Sequence, residues 1–295
     1  MVVSRECAEL LRQIEDDTAA TTGMSWDERR AHARDAALAA DDRIGLDDVR
    51  DLDADGVPCR LYRPRIGAPV ALYVHGGGWV LHDLETHDAF CRELAHRTGW
   101  ALLAVDYRRA PEHPHPAPLD DVETAARWLR REGRGLRLGT DLVAGVGDSS
   151  GANLLAGLCV REAGLLDALV LMYPPVQACG PYADEPTPAL DEPAMRAYWD
   201  AYAPGESADH PEVSPLRADL AAFPPTLVLT AEHDVLRDQG EAFAAALEQA
   251  GVDVMAWRAL GTVHGYWRHP TRLAAARAAV LAAGAFLESR RVGHP

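Results

Sequence analysis

Gly147-Asp148-Ser149-Ser150-Gly151 stands where the apolar run 141–147 gives way to a helical pattern over 150–163. A serine flanked by glycines at a strand-to-helix turn can hold its hydroxyl above a sheet, and the helix start behind it supplies free backbone donors and a favourable dipole. That hydroxyl is barely ionised at neutral pH, so chemistry at Ser149 needs a base and an acid to orient the base. Asp234 in Glu232-His233-Asp234 and His264 in Thr262-Val263-His264-Gly265-Tyr266 each follow a later apolar run. Upstream, His75-Gly76-Gly77-Gly78-Trp79 closes another such run. Successive glycines leave backbone N–H groups free to face a developing oxyanion, each contributing ~3 kcal/mol to a transition state. Nucleophile, acid, base and oxyanion donors together describe acyl transfer through a serine.

These residues need a scaffold that brings strand ends together. Short apolar runs at 69–75, 100–107, 141–147, 166–174, 225–232 and 252–260 alternate with helical patterns at 86–98, 119–132, 150–163, 190–203, 237–250 and 271–290. Continuous apolar strands separated by helices predict a largely parallel sheet buried on both faces. The stretch 47–62 reads as a hairpin around Asp53-Ala54-Asp55-Gly56, which brings the count to eight strands. Every candidate group then lies at a strand's carboxyl end, where open α/β sheets bind ligands. Two short amphipathic helices precede the hairpin, one from Ser4 to about Asp17 and one opening at the capping box Ser25-Trp26-Asp27-Glu28. Residues 1–56 hold 15 acidic and 7 basic side chains, half of the chain's net charge of −16, and are expected to cover something rather than form a core. The division expected is an N-terminal helical segment over 1–45 and a sheet domain over 46–295, with the proline-rich insertion 174–223 packed near the site.

Composition removes other chemistries. All 29 basic residues are arginine, so Schiff-base and pyridoxal phosphate enzymes and a phosphate-cradling GxxxxGK loop are excluded. An excess of acid opposes nucleic-acid binding through surface charge. Five scattered cysteines form no CxxC pair and read as reduced thiols of a cytoplasmic protein. No stretch reaches the ~18 apolar residues that would span a bilayer. The run His113-Pro114-His115-Pro116 supplies too few ligands for a metal, and no further ligand is spaced to complete a site. Arg108 and Arg109 are expected to pair with nearby carboxylates. The Ala-rich face of 271–291 could cover the sheet or join a homodimer.

The motifs together resemble the bacterial hormone-sensitive-lipase-like esterases of the α/β-hydrolase superfamily. The resemblance runs from about Val57 to the C-terminus through His75–Trp79, Asp106–Pro114, Gly147–Asn153, Asp234–Asp238 and His264-Gly265. It implies an α/β-hydrolase fold in which 1–45 is an N-terminal helical cap and 46–295 the catalytic domain, with a catalytic triad of Ser149, His264 and Asp234. It also implies an oxyanion hole built from the N–H groups of Gly76, Gly77 and Ser150, with no cofactor. The activity expected is hydrolysis of short-chain or small-molecule carboxylic esters through an acyl-enzyme. The same triad could serve an amide or N-acetyl deacylase, an acyltransferase, or a dehydratase or cyclase tailoring a natural product; a ligand receptor without turnover is a further alternative.

Four departures from the family pattern stand out. Ser150 replaces the usual alanine, and its hydroxyl could compete for Ser149 or substrate. Asp234-Val235-Leu236 lacks the usual proline, which makes the turn less rigid and brings Asp238 forward as a substitute acid. His82 stands where a small residue is common. Tyr266-Trp267 adds aromatic bulk beside the base. A pocket crowded by Trp79, His82, Tyr198, Trp199, Tyr266 and Trp267 would suit a short or planar acyl group, although packing in the core explains such aromatics equally well.

Overall fold

The apolar runs assemble into one eight-stranded sheet in a computed structural model that describes residues 2–40, 42–185 and 187–292. The strands are β1 (Asp48–Ala54), β2 (Val57–Arg63), β3 (Pro69–Val74), β4 (Ala101–Val105), β5 (Gly139–Asp148), β6 (Ala168–Met172), β7 (Thr226–His233) and β8 (Val254–Val263). Their spatial order is β1-β2-β4-β3-β5-β6-β7-β8. β2 pairs antiparallel with both β1 and β4, and all other neighbours run parallel. The chain leaves β3 for β4 on one side and returns to β5 on the other. The crevice at this reversal of strand order lies between the glycine loop and the serine turn.

Strand side chains alternate between two cores, as the two-residue period of a strand requires. Val70, Leu72 and Val74 of β3 face one cluster, whereas Ala71 and Tyr73 face the other. The first core receives α4 (Ala117–Glu132), α5 (Ser150–Arg161) and α7 (Arg237–Gln249). The second receives α3 (Asp88–Thr98) and α8 (Ala274–Val292), whose Ala276, Ala279, Val280, Ala283, Phe286 and Leu287 are buried. The Ala-rich face of the last helix is therefore occupied by the sheet.

The two N-terminal helices behave differently. α1 (Arg5–Thr21) runs past Asp17, and at its end the Thr21 and Thr22 hydroxyls donate to the Asp17 and Thr18 carbonyls. Contrary to the expectation that this segment forms no core, its Cys7, Leu10 and Leu11 are buried in the second core beside Tyr266 and Trp267. α2 (Trp26–Ala39) keeps its capping box and buries no residue. It is held instead by Arg30, which donates to the Val80 and Ala110 carbonyls at 2.7 and 2.6 Å and pairs with Glu112 at 2.8 Å. Within the insertion, α6 (Glu192–Tyr202) starts at an Asp191 cap and places Trp199 and Tyr202 against Trp79. Cys7, Cys59, Cys91 and Cys159 are buried and Cys179 is exposed, all five as free thiols.

Candidate active site

β3 and β5 are neighbours in register, with Val74 opposite Gly147, so the glycine loop and the serine turn leave the sheet side by side. Ser149 has φ 51° and ψ −122°, a conformation that costs a side-chain-bearing residue ~1–3 kcal/mol and lifts its hydroxyl out of the turn. Gly151 is required behind it, since a Cβ there would collide with the Val74 carbonyl oxygen. At the far end of the sheet, β7 and β8 pair His233 with Val263, so the next residues in the crevice are Asp234 and close by His264.

The three expected side chains converge. Ser149 Oγ lies 3.0 Å from His264 Nε2, and His264 Nδ1 lies 2.7 Å from Asp234 Oδ2. Asp234 is fully buried, and its other oxygen accepts the Leu236 N–H at 2.9 Å. That turn, closed also by Arg237 N–H on the Asp234 carbonyl at 3.0 Å, supplies the rigidity the missing proline would have given. Asp238 is half-exposed and paired with Arg237 at 2.8 Å, away from His264. Tyr173 packs its ring 4.4 Å from the His264 ring. Sequence reading passed over Tyr173 although it directly follows a strand's carboxyl end.

Gly76 departs from expectation. Its N–H donates to Asp148 Oδ1 at 3.1 Å, and so it is not free for an oxyanion. The same carboxylate oxygen accepts the Tyr73 hydroxyl at 2.7 Å. Burial and the neighbouring Asp148 hold that phenol well above its ordinary pKa, so it stays a donor. The Gly76 carbonyl accepts the His75 ring N–H at 2.8 Å, and the Tyr107 hydroxyl donates to the His75 carbonyl at 2.9 Å. Because a trans peptide points its N–H opposite to its carbonyl, tying back the Gly76 carbonyl turns the Gly77 N–H the other way. The N–H groups of Gly77, Gly78 and Ser150 have no hydrogen-bond partner among the described residues. Gly78 admits no side chain, as its φ is 60° and a Cβ would strike the Tyr198 ring. The Ser150 hydroxyl is buried and bonds neither Ser149 nor His264.

A cavity of about 120 Å³ opens onto these groups, small beside the ~300 Å³ at which pockets for drug-sized ligands begin. The glycine loop contributes Gly77, Gly78, Trp79, Leu81 and His82 to its wall, and the insertion contributes Pro175, Ala189, Leu190, Met195 and Tyr198. Gly265 and Arg268 complete it beside His264. Trp79, His82 and Tyr198 therefore stand where the sequence reading put them. Trp199, Tyr266 and Trp267 do not: Trp199 packs against Trp79, and Tyr266 and Trp267 are sealed in the second core with Phe90 and α8. Apolar burial claims these three rings, Trp199 through its contact with Trp79 and the other two through the second core. No residue of α1 or α2 lines the cavity; Trp26 reaches it indirectly, 5.7 Å from the Tyr198 ring. A wider hollow of about 570 Å³ lies between α7 and β8, lined by Thr230, Glu241, Trp257 and Arg258 among others, and contains no serine, cysteine or histidine.

His115, set aside in the sequence, meets His210 and Glu212 with donor atoms within 4.8 Å of one another. Arg161 sits on both Glu212 oxygens at 2.9 and 2.7 Å, so the carboxylate is already neutralised and the group pins the insertion to α5. Arg108 and Arg109 pair with Asp121 and Asp106, as expected.

Comparison with known proteins identifies the family. The family described as alpha/beta hydrolase fold matches residues 71–268. The chain belongs to the α/β-hydrolase-fold family. Among its relatives is Carboxylesterase NlhH of Mycobacterium tuberculosis, 38% identical over 239 residues, covering 76% of this chain and 73% of that one. Ethyl acetate hydrolase of Pseudomonas putida is 34% identical over 262 residues, covering 81% and 82%. The solved structure of a hyperthermophilic esterase from the archaeon Pyrobaculum calidifontis superposes with a TM-score of 0.88 at 34% identity, covering 99% of this chain and 100% of that one. Another α/β hydrolase, an esterase of the bacterial hormone-sensitive lipase family, matches with a TM-score of 0.87 at 28% identity over 98% and 99%.

Proposed function

We propose that this carboxylic-ester hydrolase works through Ser149 as nucleophile, His264 as base and Asp234 as the acid that orients it, with the N–H groups of Gly77, Gly78 and Ser150 as the oxyanion hole. The observation that carries the assignment is the continuous pair of contacts from Ser149 Oγ to His264 Nε2 and from His264 Nδ1 to Asp234. Relatives named carboxylesterase and ethyl acetate hydrolase support ester hydrolysis as the reaction.

In the mechanism, His264 Nε2 removes the Ser149 proton as Oγ attacks the ester carbonyl carbon. The carbonyl oxygen becomes an oxyanion facing the free N–H groups. The bond to the alcohol oxygen then breaks, and that oxygen takes the proton from His264. The remaining acyl-enzyme is cleaved by water, with His264 again as base, which returns Ser149 to its starting form. Asp234 fixes the tautomer that keeps Nε2 unprotonated toward Ser149.

The small cavity supports short acyl or alcohol groups as substrates. Residues 46–295 form the catalytic domain in this reading, and residues 174–223 roof the pocket, while 1–45 buttress that roof through Trp26 on Tyr198 and hold the glycine loop through Arg30 on the Val80 carbonyl. Among the described residues no helix is long and apolar enough to cross a membrane. The test is the initial rate on p-nitrophenyl esters of increasing acyl length for the wild type and Ser149→Ala. Turnover that favours short chains and disappears in the variant is expected. A folded protein with no turnover and no labelling of Ser149 by an organophosphonate would overturn the assignment.

A further inference from the structure

Arg268 ends the short turn after His264 and lines the cavity that holds Ser149. In a chain with 45 acidic residues it has no carboxylate of the described residues within 4.0 Å. Among the described residues its one polar side-chain contact is a long one, from the guanidinium to His82 Nε2 at 3.4 Å. Neighbouring arginines are all engaged: Arg109 pairs with Asp106, Arg272 donates to Gln13, and Arg277 donates to the Pro270 carbonyl. Arg268 is half-buried and shares the cavity wall with the apolar Leu81, Leu190 and Met195, so its charge is screened less than one at the open surface.

No group of the described residues forms an ion pair with that guanidinium. His82 and His87 are pushed well below the ordinary histidine range by burial and then by Arg268 itself, so both stay neutral. Asp148, the acidic side chain of the cavity wall, is turned to the Tyr73 hydroxyl and the Gly76 N–H and makes no ion pair with Arg268. His82 can accept from Arg268 and orient it, but it cannot neutralise it. A planar guanidinium without an anion is matched by a carboxylate, which accepts two parallel N–H bonds.

We infer that Arg268, oriented by His82, makes this a site for esters that carry a carboxylate within reach of the scissile bond. The inference rests on the ester-hydrolase reading and deepens it. The carboxylate can belong to the acyl side, as in a half-ester of a dicarboxylic acid, or to the alcohol side, as in an ester of a hydroxy acid.

Two substrate pairs separate those sources: methyl hydrogen glutarate against dimethyl glutarate, and 3-acetoxybenzoate against 3-acetoxybenzamide. Rates are followed by proton release at constant pH. The readout is the ratio of kcat/KM for the charged ester to that for its neutral counterpart, which divides out any general effect of a variant on the site. For at least one pair the wild-type ratio is expected to exceed roughly tenfold at low salt and to fall as salt rises. Arg268→Gln should lower the ratio about tenfold, mainly through KM, and Arg268→Lys should restore part of it. Ratios at or below one for both pairs, or a ratio unchanged in Arg268→Gln, would overturn the inference while hydrolysis of the neutral esters leaves the reading intact. Absence of turnover on all four esters, with no labelling of Ser149, overturns both.

Discussion

The Gly76 N–H donates to the Asp148 carboxylate across 3.1 Å, so the residue before the nucleophile also holds the glycine loop in place. The two halves of the site are thereby one mechanical unit: the elbow cannot shift without moving the donors that face the oxyanion. Tyr73 reinforces the link from below, donating to the same oxygen at 2.7 Å. Asp148→Ala should lower kcat roughly 10- to 100-fold with a smaller change in KM, since it loosens oxyanion donors worth ~3 kcal/mol each. Asp148→Asn keeps an acceptor oxygen and should lose less. Steady-state kinetics on one short ester decides this, and equal losses in the two variants would argue that charge, and not the hydrogen bond, matters.

The triad makes a graded prediction. Ser149→Ala and His264→Ala should each reduce kcat by about 10⁴-fold or more, because neither role has a substitute in the cavity. Asp234→Ala should cost less, about 10²- to 10⁴-fold, as it removes orientation and not the base itself. Asp238→Ala should leave the rate unchanged, given its exposed pairing with Arg237. A large loss in that last variant would place the orienting acid elsewhere.

Arg30 is the clasp of α2. A helix that buries no side chain has little apolar area to hold it, and the Arg30 bonds to the Val80 and Ala110 carbonyls replace that area. Arg30→Met should lower stability by ~1–3 kcal/mol, the cost of stripping charge-assisted bonds from part-buried carbonyls. It should also raise KM through the loosened Trp26–Tyr198 contact, and expose residues near 22–45 to limited proteolysis before the domain unfolds. Unchanged proteolysis would show that the helix is held by something else.

Buried histidines set an acid limit. His75 and His87 are both buried and both held below their ordinary value near 6.5, chiefly by desolvation. The unfolded chain takes up a proton at each as pH falls through 6.5, while the folded chain does not. Their neutrality therefore costs nothing above pH 6.5, and stability declines as pH falls below it, by up to ~1.4 kcal/mol per pH unit for each histidine. Urea unfolding between pH 7 and 5 should show this slope, reduced in His87→Gln. A slope identical in that variant would remove His87 from the account.

What was readable in the sequence was local. The serine turn, the glycine run and the strand ends are set by a few adjacent residues whose backbone demands do not depend on distant partners. Eight strands and their helices follow from periodicity in the same way. The misreadings that bear on the cavity are long-range. That the Gly76 N–H is taken by Asp148, 72 residues away, has no local signature. Tyr198 and Trp199 are consecutive on a helix, about 100° apart, and only the docking of α6 decides that the first meets the cavity and the second meets Trp79. The approach of His115 to Glu212 across 97 residues was equally invisible. Arg268 carried a faint signal, lying four residues after the base, but nothing in the sequence says that it lacks a carboxylate.

The left-handed backbone at Ser149 has an evolutionary side. Glycine would occupy that φ without penalty, so Ser149→Gly offers the chain some stability in exchange for its nucleophile. At this one position, drift toward a sturdier protein is drift toward an inert one, and only selection for turnover keeps a serine there. A lineage released from that selection would be expected to lose its hydroxyl here early, while the rest of the sheet persisted as a binding scaffold.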